Sequence, residues 1–277
     1  GKTTTAARIV CIPTEMIERQ SGRKPRIFVA APTGKAAARI SSSISKALHE
    51  LNDKGIACSI NIENSCTIHR LLGIGHNTYR PRFNENEKLP ADVLLIDEAS
   101  MIDMAMMSSI MSAIKKGARL ILMGDKDQLV SVEPGAVLAD ICSAGPATDF
   151  SSKAAKNLKL DPNHPGLLLR EYEGFFDGVV ELCKSYRFSE NSGIGLLAFA
   201  VKEQNSTKAS EILSDSKYND IEWIKSYDEK SLKKILKNIA GSILSETVLS
   251  DDPEKVLKMM DEFRILCSVR QGPSGAE

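Results

Sequence analysis

The feature that most constrains this chain is the segment at residues 93–101, which reads Val-Leu-Leu-Ile-Asp-Glu-Ala-Ser-Met. Its apolar run is too short for a buried helix and is typical of a strand covered on both faces, as in a parallel α/β sheet. Asp97 and Glu98 would follow the carboxyl end of that strand, where open α/β sheets bind their ligands. One carboxylate there can hold Mg²⁺, and its neighbour can orient or deprotonate a water molecule. An isolated Asp-Glu pair is more simply explained by a solvated turn, so this interpretation requires a phosphate-binding loop elsewhere.

The start of the chain supplies part of such a loop. Residues 1–5 read Gly-Lys-Thr-Thr-Thr, and Gly-Lys-Thr is the last third of the phosphate-binding pattern G-x-x-x-x-G-K-[ST]. In that pattern the lysine reaches the β- and γ-phosphates, the hydroxyl binds Mg²⁺ and the helix N-terminus points its N–H groups at phosphate. The first glycine of the pattern is absent, which makes the motif weak by itself and suggests a fragment of a longer chain.

Two more apolar segments are each followed by polar residues. Residues 26–31 precede Pro-Thr-Gly-Lys at 32–35, whose N–H groups, hydroxyl and cation suit a phosphodiester backbone. Taken alone, the segment is better explained by an ordinary strand-to-helix turn. Residues 119–123 precede Gly-Asp-Lys-Asp-Gln-Leu at 124–129. Because the carboxyl ends of parallel strands meet at one edge of a sheet, these polar groups are predicted to converge.

Helices are predicted between these strands. Residues 35–51 place apolar side chains at helical spacing, and the methionines of residues 104–116 are typical of core filler. Residues 67–73 predict a short helix capped by Thr67 and stopped by Gly73. Within that helix His69, taken as a lone residue, is better explained by a partly buried histidine than by a ligand contact.

The composition changes after residue 144, and it predicts three regions. The first is a domain at residues 1–144 with a possible small hairpin insertion at 74–90, and the second is a linker or mobile insertion at 145–175. The third, residues 176–277, combines helical periodicity with predicted strands at 221–224 and 264–269.

Charge and cysteine content restrict the function further. Lys plus Arg and Asp plus Glu number 36 each, so any nucleic-acid binding must use a local groove instead of a generally basic surface. The six cysteines form no disulfide-like framework or regular metal-ligand spacing, which predicts free thiols in a reducing cytoplasm. No apolar run approaches membrane-spanning length, and no signal peptide is visible.

The motifs together are far more specific than any one of them, because residues 1–5, 30–39, 67–73, 97–101 and 124–129 occur in a fixed order. In this combination the chain closely resembles the superfamily 1 DNA helicases of the 5′-to-3′ branch. Within that branch it is most similar to the alpha subunits of bacterial exodeoxyribonuclease V. Three further segments favour that family, at residues 131–138, 185–195 and 266–273.

The resemblance implies a fold and a set of site residues. The fold is α/β, a RecA-like P-loop NTPase motor domain with a parallel sheet, followed by the beginning of a second RecA-like domain. The implied cofactors are ATP and Mg²⁺. The implied ligands of ATP are Gly1, Lys2, Thr3 and Asp97, of which Thr3 and Asp97 would also hold Mg²⁺.

Catalytic and DNA-binding roles are implied in the same way. Glu98 would activate the hydrolytic water, Gln128 would couple the γ-phosphate to the DNA-binding groove, and Arg187 would be an arginine finger from the second motor domain. Residues 74–90 lie where these helicases place a small hairpin that splits the duplex. The single-stranded DNA track would be lined by Thr33, Lys35, Thr67 and His69.

The function implied is that of an ATP-dependent helicase or translocase subunit moving 5′-to-3′ on single-stranded DNA. Its partners would be single-stranded DNA at a duplex end and the beta and gamma chains of a cytoplasmic helicase–nuclease that acts in double-strand break repair and recombination. The late motifs of the second motor domain are absent, so the fragment alone is not expected to unwind DNA. Two alternatives stay open, namely a stand-alone or relaxase-type superfamily 1 helicase and a non-catalytic docking module of the same fold.

Overall fold

The structure is a computed structural model that divides the chain into two compact units, residues 1–187 and 188–277. Each unit is considered by itself, and the three regions predicted from composition stay a prediction. The residues described are 2–53, 62–75, 80–128, 135–143, 149–161, 168–170, 175–182, 188, 192–224, 231, 234–238, 240–241, 252–262, 264–267, 269–272 and 275.

A four-stranded parallel sheet forms the centre of the first unit, in the order β2-β1-β3-β4. The inner strands β1 (Ile27–Ala31) and β3 (Val93–Ile96) are buried along their whole length, which is why their sequences are continuous apolar runs. The outer strands are β2 (Ile62–Thr67) and β4 (Arg119–Leu122). The predicted α/β class and the three predicted strands of this region are confirmed. β2 was missed because its sequence, Ile-Glu-Asn-Ser-Cys-Thr, is mostly polar.

Helices cover both faces of the sheet. On one face α1 (Lys2–Ser21) and α2 (Gly34–Asp53) pack against Val29 and Leu95. On the other face α3 (Ile68–Leu72), α4 (Met104–Ala113) and α5 (Val137–Ser143) pack against the side chains of β1 and β3 that point the opposite way. α2 begins where β1 ends, and α1 runs back towards the start of β1, so the N-termini of both helices face the carboxyl edge of the sheet.

A buried carboxylate at the amino edge of the sheet joins separate parts of the chain. Asp92 accepts two hydrogen bonds of 2.7 Å from the Arg23 guanidinium, one of 2.7 Å from Lys115 Nζ and one of 2.8 Å from the Arg26 N–H. The Arg23 hydrogen bond, the Arg26 N–H and Lys115 hold the pKa of Asp92 well below its usual range, although burial acts in the opposite direction. We call these four residues the Asp92 cluster.

The end of the first unit contains regular structure within the predicted linker. β5 (Asp149–Ser151) pairs in parallel with β6 (Leu168–Arg170), and α6 (Ser152–Asn157) lies between them in sequence. Asp177 accepts hydrogen bonds from the N–H of Ser151 at 2.7 Å and from its Oγ at 2.8 Å. Because Ser151 is almost completely buried, this carboxylate compensates for burying its polar groups.

The second unit is helical in its described parts. It contains α7 (Gly193–Lys202), α8 (Ser206–Ser214) and a helix at Pro253–Glu262. Asp220 accepts the N–H groups of Gly193 and Ile194, each at 3.0 Å, and so caps α7. The predicted strands at 221–224 and 264–269 are wrong where described, since residues 221–224, 264–267 and 269 pair with no strand among the described residues.

The cysteines differ from the sequence-based expectation at one position. Cys66, Cys142 and Cys267 are free thiols, and burial raises the pKa of Cys66 and of Cys142. Cys11 is disulfide-bonded, so the prediction of free thiols is wrong there. Spacing along the chain does not reveal which cysteines meet in space, which is why the sequence missed it. Among the described helices, none is long and apolar enough to cross a membrane.

Candidate functional site

The polar segments that follow the four strands of the first unit lie at one edge of the sheet. Because all four strands are parallel, their carboxyl ends point the same way. β1 leads to Thr33 and Lys35, and β3 leads directly to Asp97 and Glu98. This is the convergence that the sequence predicts. β2 ends at Thr67 and β4 is followed by the loop that carries Gln128.

Backbone hydrogen bonds hold the acid pair, Asp97 and Glu98, between the two neighbouring strands. The N–H of Asp97 donates to the carbonyl oxygen of Ala30 in β1 at 2.9 Å. The N–H of Ala99 donates to the carbonyl oxygen of Met123, just after β4, at 2.8 Å. Both acids are half-buried, and neither carboxylate makes a hydrogen bond or ion pair within the described residues. Both therefore remain available to a ligand.

Glu98 has a backbone conformation that side chains rarely adopt. Its φ of 52° and ψ of 40° lie in the left-handed region, immediately before a 3₁₀ turn at Ala99–Met101. The other described residues with positive φ, glycine aside, are Lys159 and Gln204, and each of them lies two residues past the end of a helix. Such a conformation costs on the order of 1–2 kcal/mol and persists only where its surroundings enforce it. Here the hydrogen bonds to β1 and to Met123 do so.

Gly124 allows the end of β4 to approach this turn. A Cβ atom at position 124 would lie 2.5 Å from Leu138 Cδ2, 3.1 Å from the backbone nitrogen of Ser100 and 3.2 Å from that of Ala99. Only glycine fits at that separation without a shift of backbone. The turn also contains a buried hydroxyl, Ser100 Oγ, that has no hydrogen-bond partner in the part of the chain described.

Asp125 organises the loop that carries Gln128. Its Oδ1 accepts the N–H of Asp127 at 3.1 Å, and its Oδ2 accepts Gln128 Nε2 at 3.3 Å. The N–H of Gln128 also donates to the carbonyl oxygen of Asp125 at 3.2 Å. Gln128 is therefore exposed but tethered close to the end of β4. Asp125 was not predicted as a site residue, although an aspartate after a glycine just past a strand is a signal for such a turn.

Two threonines cap helices at the same edge. Thr33 Oγ1 accepts the N–H of Ala36 at 3.2 Å, and Thr67 Oγ1 accepts the N–H of Arg70 at 3.2 Å. Thr67 is paired across the sheet with Ala31, and a Cβ atom on Gly34 would lie 4.0 Å from Thr67 Cγ2. The ends of β1 and β2 are thus close neighbours. The predicted cap at Thr67 and stop at Gly73 are confirmed, the latter with φ of 70°.

Lys35 and His69 are both exposed at this edge. Neither is involved in a described ion pair, so both side chains can reach a ligand in solvent. The geometry therefore brings together Thr33, Lys35, Thr67 and His69, the four residues predicted to line a nucleic-acid track. Their binding role stays a prediction.

Several predicted site residues fall outside what the structure describes. Gly1 and Arg187 lie outside the described residues altogether. Lys2 and Thr3 form the first turn of α1, whose N-terminus faces the same edge, but their side chains are not described. The roles of these four residues stay predictions.

The predicted hairpin at 74–90 is described in part. Residues 80–88 form bends organised by Asn84, whose Oδ1 accepts the N–H of Asn86 at 2.8 Å and whose backbone N–H donates to the carbonyl of Glu87 at 2.8 Å. The N–H of Phe83 donates to the carbonyl of Leu72 at 3.1 Å and so ties these bends to α3. Residues 76–79 lie outside the described part, and a role in splitting duplex DNA stays a prediction.

The donor set fits Mg²⁺ that is bound together with a nucleotide. Within the described residues no cluster of three or more acidic, histidine or cysteine side chains could hold a metal by itself. Mg²⁺ usually keeps several water ligands and is held by one or two carboxylates together with substrate phosphates. The carboxylate of Asp97, half-buried and without a protein partner among the described residues, matches that requirement.

Comparisons with known proteins add independent information. Residues 1–134 match the family model described as an AAA domain. The RecBCD enzyme subunit RecD of Mycolicibacterium smegmatis is 34% identical over 100% of this chain and 44% of its own length. The corresponding subunit of Haemophilus influenzae is 32% identical over 95% of this chain and 40% of its length. The ATP-dependent RecD2 DNA helicase of Deinococcus radiodurans is 31% identical over 77% of this chain and 26% of its length.

The chain therefore spans less than half the length of these curated relatives. Among solved structures, Bacteroides Pif1 bound to ssDNA is 20% identical, with a TM-score of 0.37 over 82% of this chain and 49% of that one. At that TM-score the likeness carries no argument about function.

Proposed function

We propose that this chain belongs to the RecD family of superfamily 1 helicases and that the intact protein is an ATP-driven motor on single-stranded DNA. Support comes from the match of residues 1–134 to an AAA domain and from the similarity of the whole chain to RecD subunits. The observation that carries this proposal is the strained backbone of Glu98 directly after Asp97. Just past a helix C-terminus such a conformation is common, but Glu98 precedes its 3₁₀ turn, and hydrogen bonds of its two neighbours hold it on either side. A strained backbone that points the Glu98 carboxylate away from that of Asp97 is expected where the two carboxylates have different roles in one site.

The two acids then have different tasks. Asp97, together with Thr3, would hold Mg²⁺, which when bound neutralises charge on the phosphates of ATP. Glu98, turned by its left-handed backbone, orients a water molecule and accepts its proton at a carboxylate oxygen. Lys2 binds the β- and γ-phosphates from the first turn of α1, and Arg187 stabilises developing charge.

The backbone contacts around the acid pair provide a route from nucleotide to DNA. The bond from Asp97 to Ala30 connects the site to β1, which leads to Thr33 and Lys35. The bond from Ala99 to Met123 connects it to the loop that carries Gln128. A change in position of the acid pair therefore reaches both the DNA track and the residue proposed to sense the γ-phosphate.

The wider role follows from the relatives named as RecBCD subunits. The intact protein works in the cytoplasm with beta and gamma chains of a helicase–nuclease and moves 5′-to-3′ from a duplex end during double-strand break repair and recombination. A relative named as a RecD2 helicase keeps the stand-alone helicase as the second candidate. Unwinding by the purified full-length protein without partner chains would favour that candidate.

The test is ATP hydrolysis by the full-length protein with and without single-stranded DNA. We expect DNA to stimulate hydrolysis, and Glu98→Gln to lower the stimulated rate by about 10²–10⁴-fold while ATP binding is retained. The matched control is Glu18→Gln, the same change at an exposed glutamate of α1. Absence of stimulation in the wild type would refute the motor and favour a docking module. Full turnover in Glu98→Gln would refute the role of Glu98.

A further inference from the structure

Helix α2 carries its charges in the reverse of the order that its own dipole favours. Lys35, Arg39 and Lys46 are exposed in its first two-thirds, whereas the exposed acids Glu50 and Asp53 lie near its C-terminus. The first turn contains no acidic residue and the last turn no basic one. A helix N-terminus favours negative charge and a C-terminus positive charge, so this arrangement destabilises the isolated helix.

The three basic residues also lie on one side of α2. At about 100° per residue, Lys35, Arg39, Ser42 and Lys46 fall within a strip about 60° wide that extends for about 16 Å along the axis. We call these four exposed residues the basic face of α2. Lys35 and Arg39 are four residues apart, a spacing at which like charges repel.

Within α2, only Glu50, four residues after Lys46, opposes this repulsion. None of the three cations on the basic face makes an ion pair with a described residue. On the adjacent helix α1, by contrast, Arg19 pairs with Glu15 four residues earlier. Ser42 adds an exposed hydroxyl between the cations, although serine favours helix formation less than alanine does. The basic face therefore contributes little to the stability of the fold.

We propose that the basic face of α2 binds the phosphates of single-stranded DNA and extends the track that begins at Thr33 and Thr67. This inference rests on the proposed function. Single-stranded DNA is the proposed ligand because the basic face is continuous with the track. Lys35 belongs to both. Lysine, arginine and serine are the side chains that contact phosphate oxygens, and they do so without reading sequence.

The experiment measures binding of the full-length protein to fluorescein-labelled oligothymidylate over a range of salt concentrations. The test variant is Arg39→Gln/Lys46→Gln. The control is Lys24→Gln/Lys116→Gln, which removes the same charge from exposed positions at the amino edge of the first unit. The slope of log K against log salt is negative, and each lost phosphate contact on a single strand reduces its magnitude by about 0.7. We expect a decrease in magnitude of about 1.4 for the test variant and no change for the control.

The experiment distinguishes failure of the proposed function from failure of the role given to the basic face. Wild-type protein that neither binds the oligonucleotide nor hydrolyses ATP in response to it would refute the proposed function itself. Wild-type binding with an unchanged slope in the test variant would refute only the role of the basic face. A test variant that loses affinity for blunt duplex DNA, or for the partner chains, while its single-strand slope is unchanged would assign the face to that other occupant and overturn the proposal.

Unfolding cannot mimic the expected result. Because the test variant removes both the repulsion between Lys35 and Arg39 and the attraction between Lys46 and Glu50, its thermal unfolding midpoint should stay close to that of the wild type. A lower midpoint together with a slope of smaller magnitude would refute the view that the basic face contributes little to the stability of the fold. The single variants Arg39→Gln and Lys46→Gln then provide an independent measurement of the salt dependence. Each is expected to reduce the magnitude of the slope by about 0.7.

Discussion

Arg23 donates two hydrogen bonds of 2.7 Å to the carboxylate of Asp92, at the edge of the sheet opposite the acid pair. Asp92 is 5% exposed, whereas the Arg23 side chain is 52% exposed. The buried acid is therefore neutralised by a cation that remains in contact with water. The Asp92 cluster contributes to the fold without reaching the residues proposed for chemistry.

The Asp92 cluster predicts a dependence of stability on pH. Because the folded-state pKa of Asp92 is depressed, its contribution is fully present above the pKa of an unfolded aspartate, about 3.9, and is lost as pH falls towards the lower folded-state pKa. Asp92→Asn should lower the free energy of unfolding by about 2 kcal/mol at neutral pH. Denaturant unfolding of both proteins should show this difference narrowing below about pH 4. A difference that stays constant down to pH 3 would contradict the assignment.

Glu98→Gly should separate backbone strain from chemistry. Glycine adopts positive φ without a steric clash, so this variant should unfold with a free energy about 1 kcal/mol higher than Glu98→Gln. Neither variant should hydrolyse ATP at the wild-type rate. Denaturant titrations at neutral pH give the comparison. Equal stability of the two variants would show that position 98 is not strained in solution.

Gly124→Ala should destabilise the first unit and lower ATP hydrolysis together. The added methyl group would meet Leu138 and the backbone of Ala99 and Ser100, so the end of β4 must move away from the acid pair. Overpacking of this kind costs about 1–3 kcal/mol. The control is Gly178→Ala, where a Cβ atom meets nothing within 4 Å. Thermal unfolding and steady-state hydrolysis measure both effects, and wild-type behaviour of Gly124→Ala would exclude the close approach.

Ser100→Ala should stabilise the protein. Its Oγ is buried and has no partner among the described residues, so removing it removes an uncompensated desolvation cost of about 1 kcal/mol. The control is Ser109→Ala, because Ser109 Oγ donates to the carbonyl of Ala105 at 3.0 Å within its own helix. A loss of stability in Ser100→Ala, measured by denaturant unfolding, would mean that this hydroxyl has a partner in solution.

The strands and helix caps at the centre of the first unit could be predicted because each depends on a short, continuous stretch of sequence. β1 and β3 are buried on both faces, so each appears in the sequence as an apolar run that ends in polar residues. Thr67 and Gly73 bound α3 through capping geometry that depends only on nearby residues. The convergence of Asp97 with Thr33 then follows from the parallel order of the strands.

The features that sequence reasoning missed depend on contacts between distant residues. Arg23 and Asp92 are separated by 69 positions, and neither is unusual in its local sequence. The tight approach of Gly124 to Ser100 and the disulfide at Cys11 likewise exist only after folding. In the second unit, apolar runs at 221–224 and 264–267 resembled strands, but a strand requires a partner and none lies beside these residues in the described part.

The hydrogen bonds on either side of Glu98 link the acid pair to two different strands of the sheet. Asp97 is attached to β1 through Ala30, and Ala99 is attached to the end of β4 through Met123. Tension on bound single-stranded DNA that displaces β1 relative to β4 would pull these two hydrogen bonds in opposite directions. Glu98 lies between them. A pull on the DNA would then change the orientation of the Glu98 carboxylate, the group proposed to activate water.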